Sequence, residues 1–354
     1  MTAALSSRLF GTAPDGGRVD AWTLRGARGL SLEIITYGAA VTRLLAPDRE
    51  GRFADVVLGF DNLADYSSHS AYFGSVVGRV AGRVSNARFP LDGEVYELAP
   101  NDPPNHLHGG SKGFDKRIWS AAPVENPDGE PSLRLTYLSP HMEEGYPGTV
   151  EVTVTYTVTN DNSVLVRTRG VTDRPTPFSL TLHHYFNVAG EGSGSIKDHQ
   201  LLIKADKFIP TDESMTLLGK PTAVTGRQND FRRPRVLGQV IPFLFRNHGD
   251  LYVIRSIDAG YKTAACLPAA RLVHPASGRV LEVFTTSTHL QLYTSTGLDG
   301  SLTGKSGTAY SQYSGVCLEC EGYPDGASQP QLGDIILRPG RPGLEMTRYA
   351  FSSV

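Results

Sequence analysis

A run such as Val150-Glu151-Val152-Thr153-Val154-Thr155-Tyr156-Thr157-Val158 has one conformation it takes up easily, the extended strand. Branching at Cβ stiffens the side chain against a helix and suits a pleated surface. Strict alternation lays one side on an apolar core and leaves the other to water. Asn160-Asp161-Asn162 then breaks the run and residues 164–169 resume it, so the segment reads as a hairpin. Phe89-Pro90-Leu91 and residues 94–98 read as a second hairpin about Asp92-Gly93. Residues 132–138 and 279–285 are further strands by the same pattern. No segment carries a long apolar stripe at helical spacing. The 38 glycines and 23 prolines are spread between the strand-like runs as turns. Many short strands joined by turns give an all-β chain, a large antiparallel sandwich or barrel. No repeat or linker divides it, so one domain is expected across residues 1–354.

Bulk properties exclude several functions. The formal net charge of -2 gives no electrostatic reason to bind nucleic acid or an anionic membrane. No stretch reaches the ~18 apolar residues of a membrane span, and residues 1–17 lack the basic segment and apolar core of a signal peptide. Three cysteines, Cys266, Cys317 and Cys320, are too few and too oddly placed for a disulfide framework, so a reducing cytoplasm is expected. Cys317-Leu318-Glu319-Cys320 has redox-motif spacing, but on a strand its two cysteines face opposite sides, which favours two inert buried thiols.

Against this apolar pattern a few titratable groups stand out. His183, in Leu182-His183-His184-Tyr185-Phe186-Asn187, and Glu319, in Val316-Cys317-Leu318-Glu319, sit in runs that should be buried. Burying an ionisable group is costly unless it is paired or used. One imidazole and one carboxylate are the minimum set for taking a proton from one side of a substrate and giving one to the other. Adjacent strand residues face opposite ways, so one of His183 and His184 enters a given pocket. Arg79 and Arg83, four apart in Gly78-Arg79-Val80-Ala81-Gly82-Arg83, would share a strand face, where one could offer a donor fork to hydroxyl oxygens. Asn105-His106-Leu107-His108-Gly109-Gly110 offers pocket histidines; a metal site would need a third ligand, and none is evident nearby. Asp250 alone resembles a turn aspartate, and Gln291 is a polar group in a strand that could face a sugar or water.

Together these residues resemble the aldose 1-epimerases. The likeness rests on residues 78–83, on 105–110, on Gly113-Phe114-Asp115-Lys116-Arg117-Ile118-Trp119 and on 183–187. It continues through Asp230-Phe231-Arg232-Arg233-Pro234, Leu298-Asp299-Gly300 with Gly304-Lys305, and residues 315–319 followed by Tyr323-Pro324-Asp325. The motifs occur in family order from about residue 8 to residue 351. The resemblance implies a β-supersandwich with an open sugar cleft and interconversion of the α and β anomers of free hexoses such as glucose and galactose. It implies Glu319 as general base and His183 as general acid, with Arg83, His108, Tyr185, Asp250 and Gln291 holding the sugar. No metal, nucleotide or redox cofactor is expected, and the partner is a small aldohexose, with the chain a monomer or homodimer. The chain departs from the family at Gly82 and Leu182, where asparagine is usual, at His184, where serine is usual, and at Glu321, where glutamine is frequent. The segment after Asp250 is one residue shorter. Those departures bear on which sugar is preferred. An epimerase of a phosphorylated or modified sugar, or a binding module without turnover, are the alternative readings.

Overall fold

The computed structural model describes residues 3–69, 71–254 and 266–354. Strands account for 44% of it and helices for 8%, so the alternation in the sequence is expressed as sheet. The 150–169 segment forms a hairpin, Val150–Val158 paired antiparallel with Ser163–Thr172. It lies within a nine-stranded antiparallel sheet whose neighbours include Ser132–Ser139, Gly343–Ser353 and Arg279–Thr285. The Arg88–Leu91 and Glu94–Glu97 hairpin turns about Asp92-Gly93 as its sequence requires. A five-stranded meander from Ala4–Thr12 to Phe53–Asp55 opens the chain. Among the described residues no helix is long and apolar enough to cross a membrane.

A six-stranded sheet places the chemistry. Its strand Val316–Glu321 pairs with Tyr185–Phe186 on one side and His289–Tyr293 on the other, and the latter pairs with Leu251–Val253. Period two sorts these strands cleanly. Val316, Leu318, Cys320, Leu290 and Leu292 enter the main apolar core, which also holds Val152, Val154, Leu281, Val283 and Phe351 of the nine-stranded sheet. Cys317, Glu319, Glu321, Gln291 and Tyr293 occupy the other face. Full burial of each leucine contributes about 1.5–3 kcal/mol, and that core fixes the level of the opposite face.

One expectation fails here. Arg79 and Arg83 do not share a face, because residues 78–82 are not a strand; the chain turns at Gly82, with φ +74°, and only Arg83–Val84 pairs, against His106–Leu107. Arg79 is fully buried and ties loops together. Its Nη1 donates to the carbonyls of Pro147 (2.8 Å) and Gly148 (2.9 Å), and its Nη2 to Pro140 (2.9 Å) and Ser139 Oγ (2.6 Å). Desolvation lowers it to about 10, which still leaves it charged at neutral pH. Arg79→Met would strand those buried acceptors, so urea denaturation should show a loss of about 3–5 kcal/mol.

Candidate active site

His183 sits between two short strands, Thr181–Leu182 and Tyr185–Phe186. Its own backbone is clamped, its N–H donating to Ser75 O (3.0 Å) and its carbonyl accepting from Gly74 N–H (2.9 Å). Glu319 lies on the neighbouring strand, opposite Gln291. His183 Nε2 and Glu319 Oε2 are 3.7 Å apart, both side chains almost wholly buried. His184 turns to the other face and packs on Phe186 and Tyr349, so His183 is the member of the doublet that enters the cleft. Cys317 lies on the cleft side with Sγ 3.7 Å from His183 Nδ1, while Cys320 lies in the main core. Burial pushes both thiols up, as suits unreactive cysteines.

Around the pair opens a cleft of about 290 Å³, lined among others by Arg83, His108, Tyr185, Asp250 and Gln291. Every residue to which the family resemblance gave a site role therefore converges there, whereas Arg79, His106 and His184 do not line it. Arg83 is held by Asp102, Nε to Oδ2 at 2.7 Å. Asp250 accepts from Asn229 Nδ2 at 2.9 Å. Gln291 Nε2 donates to the Leu292 carbonyl at 2.6 Å. The Tyr185 ring stacks on His183 at 4.9 Å between centroids.

His108 reaches the cleft because the chain behind it is compressed. A Cβ on Gly109 would fall 1.8 Å from the Gly78 carbonyl oxygen, so no other residue fits at that φ of +82°. His106 points away, its Nδ1 on the Ala99 carbonyl at 2.8 Å. The fold also supplies what the local sequence lacked. Ligand-type atoms of His108, His183 and Glu319 all lie within 4.8 Å of one another. However, Gly82 N–H donates to His108 Nδ1 at 3.2 Å. A neutral ring then carries its proton on Nε2, and neither nitrogen keeps a free lone pair for a metal. His108 is set as a hydrogen-bond donor.

Four contributors went unread in the sequence. Tyr72 lies in a loop at φ +58° with its ring 5.7 Å from His183, and His248 packs on Tyr293 at 4.5 Å. Asp102 and Asn229 are the partners that orient Arg83 and Asp250. Only His248, two residues before Asp250, carried a usable signal. Some other family motifs are structural: Lys305 Nζ donates to Thr42 O, Val57 O and Asp55 Oδ2 (2.7 Å), and Phe231 and Trp119 fill the core.

Electrostatics follow burial. Desolvation drives His183 down to about 3 and Glu319 up to about 8, the Arg83 charge only partly opposing the latter. His108 is likewise held neutral and Asp250 raised. An open polar cleft with a buried imidazole and carboxyl on its floor holds the groups needed to move protons on a polar ligand. Comparison with known proteins agrees. The sequence matches the family model of the aldose 1-epimerases over residues 20–347. A galactose mutarotase from Rattus norvegicus is 41% identical over 99% of both chains. An aldose 1-epimerase from Escherichia coli (strain K12) is 32% identical over 96% of this chain and 97% of its own. The crystal structure of an aldose epimerase homologue from C. elegans has a TM-score of 0.84 at 27% identity, covering 100% of each chain. The chain belongs to the aldose 1-epimerase family.

Proposed function

We propose that Glu319 and His183 are the base and acid with which this chain interconverts the α and β anomers of free hexoses such as glucose and galactose. The observation that carries the assignment is the buried 3.7 Å pair on the cleft floor. O1 and O5 of a pyranose are bonded to the same carbon, so two groups this close can serve both. Glu319 takes the proton from the C1 hydroxyl as His183 gives one to O5. The C1–O5 bond breaks, leaving a C1 aldehyde and a C5 hydroxyl. Rotation about C1–C2 exposes the other carbonyl face. Closure then reverses both transfers, so that protons balance with no redox change. Each positioned group typically supplies ~10²–10⁴-fold.

Arg83, His108 (through Nε2–H), Asp250, Gln291 and Tyr185 hold the sugar in this reading. It favours a free hexose over a phosphorylated one on charge grounds. Among the described residues lining the cleft the one fixed cation is Arg83, and its guanidinium is already engaged by Asp102.

The reaction needs one proton on the Glu319–His183 pair, in its carboxylate–imidazolium form. Burial keeps that proton on Glu319 at rest, and moving it to His183 costs no change in net charge. The pair must not gain a second proton, and the raised carboxyl must not lose the only one. Polarimetry of freshly dissolved α-galactose should therefore show kcat/KM level through neutral pH and falling on the alkaline side, as Glu319 titrates at about 8. Faster turnover of glucose 6-phosphate would redirect the reading to sugar phosphates, and binding without rate enhancement would leave only a binding module.

A further inference from the structure

Glu321 follows Glu319 by two residues on one strand, so both side chains project from the face that floors the cleft. They are 1% and 2% exposed, and the Oε2 atom of each has no hydrogen-bond partner. The other Glu321 oxygen, Oε1, lies toward Gly82, where a Cβ would fall 3.1 Å from it and 2.5 Å from Pro324 Cγ.

The surroundings hold little positive charge for two carboxylates. Arg83 faces them but is shared with Asp102. Lys116 is taken up by Asp115 at 2.5 Å. Burial keeps the facing imidazoles neutral: His183, His108 and His248 around the cleft, and His289, the cross-strand partner of Glu321. Asp250 across the cleft and Glu345 behind the strand add further acid. The phenols of Tyr185, Tyr293 and Tyr323 resist ionising. Carboxyl groups crowded in one buried site do not all ionise; one keeps its proton. Of the two on this strand, Glu321 feels both burial and the charges of Glu319 and Glu345.

We propose that Glu321 binds the substrate as a neutral carboxylic acid, donating a hydrogen bond to an oxygen of a sugar hydroxyl. The inference rests on Glu319 being the carboxyl that ionises during turnover. A protonated carboxyl offers one donor and one acceptor at the size of a primary amide, so it selects a sugar bearing a hydroxyl at that point over the deoxy analogue.

Glu321→Gln should keep KM and kcat for α-galactose within about threefold of wild type at neutral pH. Glu321→Leu, similar in size but unable to hydrogen-bond, should raise KM ~10-fold with kcat little changed. In the wild type KM should climb at alkaline pH as Glu321 ionises, and that climb should vanish in Glu321→Gln. The proposal is overturned if Glu321→Gln is as impaired as Glu321→Leu, or if the two enzymes share one pH dependence of KM. Should neither variant fold by circular dichroism, carboxyl ¹³C NMR of Glu319→Gln decides. A glutamate still protonated at neutral pH that responds to galactose supports the proposal, and absence of such a signal refutes it. Full activity in Glu319→Gln would discard Glu319 as base while leaving these readouts of Glu321 intact.

Discussion

Glu319→Gln is expected to leave a folded protein that binds hexose and exchanges its anomers ~10²–10⁴-fold more slowly. The amide has the shape of the carboxyl but cannot accept the C1 hydroxyl proton. Neighbouring contacts should persist, because the residue is fixed by its strand, Leu318 beneath it and Gln291 opposite. The fold should not suffer either. Glu319 Oε2 has no hydrogen-bond partner and burial keeps the carboxyl protonated at rest, so the amide replaces one neutral group by another of the same size without opening a cavity. The measurement is polarimetry of fresh α-galactose beside a thermal melt. A rate within tenfold of wild type would remove Glu319 from the role of base.

His183→Asn should be nearly as severe, with a fall of ~10²–10⁴-fold in kcat. Asparagine fits beneath Tyr185 and Tyr72 but gives the ring oxygen no acidic proton. If, as proposed, Glu319 and His183 act in the same step, the double variant should retain about the rate of the slower single variant, where independent contributions would multiply. Multiplied losses would show that the two residues work in separate steps. Activity preserved in His183→Asn would point to His108, whose ring lies 5.2 Å from that of His183, as the source of the proton.

What could be read in advance was what is local. Alternation predicted strands at 150–158, 164–169, 132–138 and 279–285, which the fold extends to 163–172 and 132–139, and with them the faces. Cys317 and Cys320 do point opposite ways, and His183 and His184 divide between cleft and core. Alternation failed at Arg79 and Arg83, because a spacing of four means a shared face only where the backbone is extended, and Gly82 turns it. Convergence of Arg83, His108 and Asp250 on Glu319 was legible only through the resemblance to the family, since those contacts are made between loops and nothing local encodes them. Tyr72, Asp102 and Asn229 were invisible for the same reason; each is an ordinary loop residue until the fold brings it to its partner.

His183 stands just before the edge strand Tyr185–Phe186 and Glu319 on the strand paired with it, while Arg83, His108 and Asp250 face the cleft from turns and strand ends. Chemistry and recognition thus have separate mechanical supports. Sequence drift in the turns can retune which sugar is accepted without disturbing the spacing of the proton-transfer pair. A lineage carrying this sandwich is therefore free to explore new substrates through its loops while inheriting the reaction unchanged.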